Sequence, residues 1–186
     1  MWVFGFGSLM WDGWQRELGC LSTHKAELLG YRRRFNKASV RNWGTEQMPG
    51  PTLNVEESTG CSCEGIAFEF PSETASDGIE YLKKREGKSF ELVNCSVILE
   101  GGERDSATVP IYSGKNVLEQ SPEELAELAV AASGTSGRCA DYVLTIAKEL
   151  ERLGISDPEV EAFAALVERR LNGQQGHQAD ARSSHR

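Results

Sequence analysis

The chain opens on a short apolar run, Trp2-Val3-Phe4, which empties at once into Gly5-Phe6-Gly7-Ser8-Leu9. Aromatic and β-branched residues in so short a run predict a strand over residues 2–5. A loop rich in tryptophan and glycine follows, through Trp11, Gly13 and Trp14. A second strand region is expected over residues 23–39. Residues 41–51 read as a loop, punctuated by Asn42, Gly44, Pro49, Gly50 and Pro51, and are a candidate flexible cover over a site. Residues 64–70 alternate, with Ile66, Phe68 and Phe70 on one face and Ala67 and Glu69 on the other. Residues 90–99 and 108–112 predict two further strands, joined through Gly101-Gly102 as a hairpin.

The helical pattern starts between these strands and continues after them. A first helix is expected over residues 77–86, ended by Gly87. A second opens at Ser121-Pro122-Glu123-Glu124, which supplies an N-cap serine, proline at the first helical position and glutamate at the third. A third covers residues 140–153 and stops at Gly154; a fourth opens at Asp157-Pro158 and runs to about Leu171. Beyond Asn172 the polar stretch of residues 173–186 lacks periodic apolar positions and is expected to be disordered. Strands come early, helices late, and no βαβ alternation links them. The pattern predicts an α+β fold with an antiparallel or mixed sheet, open to curling into a barrel.

Composition narrows the function classes. The 186 residues suit one domain, with 39% hydrophobic and 26% charged residues. A net charge of −8 argues against nonspecific nucleic-acid binding, which needs a basic surface. The basic cluster Arg32-Arg33-Arg34 lies on a strand and points to alternating faces, leaving strand-edge or substrate-carboxylate roles. Arg34 is the candidate carboxylate ligand of that run. No apolar stretch approaches a membrane span and no secretory leader is visible, so a cytoplasmic setting is expected. Five scattered cysteines and three histidines show no metal-ligand spacing, so no metal site is expected.

Two features carry chemistry. The Gly5-Phe6-Gly7-Ser8-Leu9 loop can turn its backbone N–H groups toward a carboxylate or an oxyanion, or can be only a tight turn. No helix follows its G-x-G in the way a dinucleotide fold requires. Ser8 lies in no nucleophile elbow, and the one histidine before the tail is His24, so Ser8 is read as a donor rather than a nucleophile. The second feature is Glu86. Ile79, Leu82 and Glu86 follow i, i+3, i+7 spacing and form one helical stripe that should face the sheet. Burial and the negative end of the helix dipole both raise a carboxylate pKa, which suits a general base. The alternative is that Glu86 pairs with Arg85 or Lys83 at a fraying helix end. A third, weaker candidate is residues 133–138, whose small residues and Arg138 precede a helix carrying Tyr142, either as an anion site or as an ordinary connection.

In order along the chain, these residues resemble a known family. Residues 2–11, WVFGFGSLMW, resemble the opening of the ChaC-like γ-glutamylcyclotransferases. Gly30-Tyr31-Arg32-Arg33-Arg34-Phe35 is similar to the family's G-Y-x-R-R-F strand, and Glu64-Gly65-Ile66-Ala67-Phe68 to its G-x-A-[YF] strand. Tyr81-Leu82-Lys83-Lys84-Arg85-Glu86 resembles its Y-L-x-x-R-E helix end, and Ser136-Gly137-Arg138 with Asp141-Tyr142-Val143 its S-G-R-N-x-x-Y-L segment. The resemblance implies a small β-barrel with flanking helices in a catalytic domain of residues 1–172. It implies a cofactor-free carbon–nitrogen lyase that acts on a γ-glutamyl compound, glutathione first, and yields 5-oxoproline and Cys-Gly. Glu86 is then the proton shuttle, with Phe6, Gly7, Ser8, Leu9, Arg34 and Tyr142 as substrate ligands.

Some positions depart from the pattern. Phe6 and Phe90 stand where the family has tyrosine, Asn36-Lys37 where the glutathione branch has Trp-Gln, and Cys139 where it has asparagine. They leave open another γ-glutamyl amine or amino acid as substrate, or a binding module without catalysis.

Overall fold

The computed structural model describes residues 1–183, with side chains as far as Gly173. The chain folds into two compact units. The first comprises Met1–Arg34, Asn54–Lys115 and Arg152–Asp157; the second comprises Phe35–Leu53, Asn116–Glu151 and Pro158–Arg186.

The first unit is built on a closed barrel. The barrel strands are β1 (Trp2–Gly5), β2 (Ser22–Ser39), β3 (Gly50–Glu69), β4 (Phe90–Leu99) and β5 (Arg104–Tyr112), in the order β1-β3-β2-β4-β5; residues 35–39 of β2 and 50–53 of β3 belong to the second unit. Helix α1 (Ala75–Glu86) enters between β3 and β4. Strand β1 runs antiparallel to β3, with Phe4 opposite Ala67, and parallel to β5, with Trp2 opposite Ala107, and so closes the barrel. Val3 and Phe4 are both fully buried, so this short strand is covered on both faces. The β4–β5 hairpin pairs without a break from Phe90↔Tyr112 to Ile98↔Arg104.

Two strands differ from expectation. Strand β3 begins at Gly50, where the sequence suggests a loop, and runs through polar residues as far as Glu69. Ala67, on the face opposite Ile66, Phe68 and Phe70, is fully buried as well. Its side is covered by Phe4, while Trp14 packs on the other side against Phe68 and Phe70, at ring distances of 5.5 and 5.3 Å. Strand β2 changes parity at Gly30. Buried positions are Ala26 and Leu28 before it and Arg33 after it. Gly30 has φ +79°, a backbone state that glycine takes without a steric penalty, and the break turns Arg33 inward.

The second unit carries helices α2 (Pro122–Ala131), α3 (Cys139–Arg152, whose last residue belongs to the first unit) and α4 (Pro158–Ser183). Between α2 and α3 lies a small hairpin of β6 (Ser133–Gly134) and β7 (Gly137–Arg138). The expected cap on α2 is present: Glu124 N–H donates to Ser121 Oγ, and Glu124 Oε2 accepts from Ser121 N–H at 2.9 Å. Helix α4 continues past the expected end at Leu171 to Ser183; the rest of the expected tail, residues 184–186, lies outside the described residues.

Residues 40–49, within the expected cover, are tied down by hydrogen bonds. Trp43 N–H donates to Ser39 Oγ (3.1 Å) and Thr45 N–H to the Met48 carbonyl (2.9 Å). The Arg41 and Asn42 carbonyls accept from Thr135 N–H (2.9 Å) and Ser136 N–H (2.8 Å) of the β6–β7 turn. The same bonds consume amides that an anion at residues 133–138 would need. Among the described residues, no helix is long and apolar enough to cross a membrane.

Candidate active site

The turn after β1 is a short 3-10 helix, Ser8–Met10, entered through Gly7. Its internal bonding starts with Met10 N–H to the Gly7 carbonyl (2.9 Å). The N–H groups of Ser8 and Leu9 therefore precede the ladder and are not used by it. Gly7 has φ −136°, so the turn does not depend on a left-handed residue there. The crowding lies one layer below. A Cβ on Gly65 would run into the Gly5 carbonyl and the Phe4 ring, and a Cβ on Gly5 would lie 3.1 Å from Leu9 Cβ.

Three side chains of the first unit fix this turn. Arg33 Nε donates to the Phe6 carbonyl at 2.9 Å. Trp14 Nε1 donates to the Leu9 carbonyl at 3.0 Å. Arg85 Nη2 donates to Ser8 Oγ at 2.9 Å. The carbonyls of Phe6 and Leu9 are thus drawn into the protein. Trp14 is itself stacked on Tyr81 of α1 at 5.5 Å and 8° between planes, so helix and turn share one aromatic support.

Glu86 ends α1. Leu82 of its stripe is fully buried, Ile79 is half-buried, and the Glu86 side chain keeps 19% of its surface exposed. The stripe does face inward, and Glu86 stands at its rim. The alternative pairing also holds: Arg85 Nε donates to Glu86 Oε1 at 3.1 Å. Gly87 closes the helix with an N–H to the Lys83 carbonyl at 3.0 Å. Arg85 also forms a short ion pair with Asp12. Burial works against its charge, but hydrogen bonds to Tyr81 and Asp12 and the Asp12 and Glu86 carboxylates outweigh that and hold its pKa above the usual value. Arg85 is thus a fixed cation joining turn and helix end.

The first unit brings Gly7, Ser8 and Leu9 together with Glu86 through Arg85. Phe6 lies in the same turn with its ring buried, so what it offers at the surface is backbone. Arg34, expected as the carboxylate ligand, is half-buried on β2; the contact of the basic run with the turn is made by Arg33. Tyr142 belongs to the second unit. Its hydroxyl accepts from Leu53 N–H at 3.2 Å and its ring lies 5.0 Å from Trp43. Sequence reasoning missed Arg85, Asp12 and Arg33 as members of the site. The signal for Arg85 was its place beside Glu86; for Arg33, strand alternation sets the middle arginine apart from the other two but does not say which face turns inward.

The β1–β5 pairing sets the last residues of β5 at the same barrel end as the turn, and Phe90↔Tyr112 brings the start of β4 there as well. At that end lies a cavity of about 530 Å³, walled by Tyr31, Val55, Glu57, Glu91, Val93, Ile111 and others. The Tyr31 phenol is pushed up to about 12, by burial first and then by Cys95 and Glu57. Among the described residues, no group of three or more His, Cys, Asp and Glu is placed to hold a metal.

Comparison with known proteins follows the same outline. The family model described as ChaC-like protein matches residues 1–170. A protein of Arabidopsis thaliana, gamma-glutamylcyclotransferase 2-3, is 30% identical over 97% of this chain and 95% of its own length. The glutathione-specific gamma-glutamylcyclotransferase of Escherichia coli (strain K12) is 30% identical over 92% of this chain and 74% of its own. A crystal structure of a yeast gamma-glutamylcyclotransferase specific to glutathione superposes with a TM-score of 0.78 at 19% identity, covering 91% of this chain and 96% of that one. That likeness concerns the fold.

Proposed function

The chain belongs to the ChaC-like family, and from that premise we propose that it is a γ-glutamylcyclotransferase that cleaves glutathione to 5-oxoproline and Cys-Gly. The observation that carries the reading is the Arg85 bridge. It ties a turn whose Ser8 and Leu9 N–H groups precede its own bonding ladder to the carboxylate at the end of α1.

In this reading the nucleophile is already part of the substrate. The α-amine of the γ-glutamyl group attacks the γ-carbonyl carbon, a C–N bond closes the five-membered ring, and the old amide C–N bond breaks. The enzyme has to fold the substrate into a near-attack shape, an effect that supplies several kcal/mol of barrier reduction, about 7–11 in well-oriented cases. The α-ammonium must lose a proton and the leaving amine must gain one. Glu86 takes the first and returns it to the second. The Ser8 and Leu9 N–H groups hold the substrate carboxylate, with Gly7 leaving the approach open. Arg34 remains a substrate ligand in the proposal, and the reaction needs no metal or cofactor. A cytoplasmic setting, where glutathione is abundant and thiols stay reduced, belongs to the same reading.

The acid-walled cavity favours a second reading of the leaving group. Glu57 and Glu91 beside Val93 and Ile111 suit a leaving amine with a positive charge better than one ending in a carboxylate. Phe90, on Tyr112 at 5.3 Å, adds an apolar surface where the family has a hydroxyl. Turnover of glutathione measured beside γ-glutamyl amino acids and γ-glutamyl amines, read as kcat/KM for 5-oxoproline release, tests both. Glutathione as the best substrate supports the first, a basic γ-glutamyl amine the second, and no 5-oxoproline from any of them contradicts both.

A further inference from the structure

Among the described residues Arg33 is the most deeply buried charge, with 1% of the residue exposed. All three nitrogens of its guanidinium are engaged within the first unit. Nε donates to the Phe6 carbonyl (2.9 Å), Nη2 to the Glu64 carbonyl (2.5 Å) with Met10 Sδ at 3.9 Å, and Nη1 pairs with Asp157 Oδ2 at 2.8 Å. Stability does not account for such a group. Taking two charges out of water is costly, and a hydrophobic side chain of similar volume commonly serves the core as well or better. What a guanidinium supplies that a hydrocarbon cannot is direction, through five donors in one rigid plane.

That direction falls on a single peptide. The Phe6 carbonyl and the Gly7 N–H belong to one planar trans unit and point to opposite sides of it. A donor that draws the carbonyl inward therefore turns the Gly7 N–H outward, at the entrance of the turn. Gly7 has no side chain to set that orientation. On the far side of the same turn Trp14 holds the Leu9 carbonyl.

We propose that Arg33, oriented by Asp157, is a positioning residue that sets the Gly7 peptide for substrate binding. The proposal rests on the reading of the turn as the holder of the substrate carboxylate. It separates two kinds of loss. Substrate capture depends on Arg33, while proton transfer depends on Glu86, which is held by Arg85 on another element.

The test compares the wild type with Arg33→Met, Arg33→Lys and Asp157→Asn, using glutathione turnover and hydrogen exchange of the peptide spanning residues 6–11. Arg33→Met is expected to raise KM about tenfold or more, the effect of losing one charged hydrogen bond's orientation. Its kcat should stay within about threefold and the pH profile of kcat should not move. Arg33→Lys should show the same KM defect, because a point charge cannot hold two carbonyls and a carboxylate in one plane. Asp157→Asn, which keeps the arginine charge, should raise KM less and covers the case in which Arg33→Met does not fold. Exchange over residues 6–11 should quicken in each variant while the β4–β5 hairpin is unchanged. A KM within twofold of wild type in the folded variants, or a fall in kcat at constant KM, overturns the proposal. So does unaltered exchange in the turn, and that readout stands even if glutathione is not the substrate. Failure of the wild type to release 5-oxoproline refutes the underlying reading instead.

Discussion

Arg85 Nη2 donates to the Ser8 hydroxyl at 2.9 Å, a contact between residues 77 positions apart. The same guanidinium holds Asp12 and Glu86. A single side chain therefore sets the turn after β1 and the end of α1 relative to each other. Lysine in its place keeps the charge and loses the fork. Arg85→Lys should lower kcat/KM roughly 10- to 100-fold, the scale of a displaced catalytic group, with little change in thermal stability. Steady-state kinetics beside a melting curve check it. Wild-type kinetics in the variant would mean that the bridge is only a surface ion network.

Glu86→Gln keeps size and hydrogen bonding and removes the titratable group. Turnover should fall roughly 10²-fold or more, the scale of lost general acid–base catalysis, while circular dichroism and melting stay those of the wild type. Retained turnover assigns the proton transfer elsewhere.

The strand that supports the turn gives a stability prediction. Gly65→Ala forces a Cβ onto the Gly5 carbonyl and the Phe4 ring, both held by the β1–β3 pairing. Backbone cannot yield as a side chain tip can. The variant should lose about 1–3 kcal/mol by overpacking, measured by urea denaturation, and a neutral outcome would show that β1 shifts to make room.

Thiol chemistry gives a further one. Cys61 is exposed, whereas burial pushes Cys63 up to about 11 and Cys139 up to about 12. The thiolate is the reactive form, and a raised pKa means less of it at any lower pH. Near neutral pH an alkylating agent should label Cys61 quickly in the native protein and leave Cys63 and Cys139 until unfolding, as peptide mapping would show. Equal native labelling of Cys139 and Cys61 contradicts the burial. Cys139 also spends its thiol on the Pro51 carbonyl at 3.3 Å.

Why some of this could be read in the chain and some could not has local causes. Strand β1, strand β4 and the cap of α2 follow from short-range patterns and form where expected, while β5 starts at Arg104, ahead of the expected residue 108. Strand β3 does not announce itself: Pro51, Gly60 and a polar stretch of Glu, Ser and Thr break the alternation, and only pairing within the barrel makes it one strand. The inward turn of Arg33 depends on the Gly30 backbone, which periodicity alone does not reveal. At the site, spacing identified Glu86 and the glycine turn but posed catalysis and ion pairing as alternatives. They meet in one residue because Arg85 reaches Ser8, Asp12 and Glu86 together. The stretch at residues 41–51 looked loose by composition, yet its carbonyls are taken up by the β6–β7 turn, a long-range partner that no local pattern contains.

The central claim is that the substrate's own amine is the nucleophile. The most direct measurement incubates the purified protein with glutathione and, separately, with glutathione acetylated on the γ-glutamyl nitrogen, and quantifies 5-oxoproline and free glutamate. Acetylation removes the lone pair that closes the ring and the proton that Glu86 would take. The account predicts 5-oxoproline as the only glutamate-derived product of the uncapped peptide and no turnover of the capped one. Free glutamate from the uncapped peptide, or cleavage of the capped one, would make water the nucleophile and contradict the account.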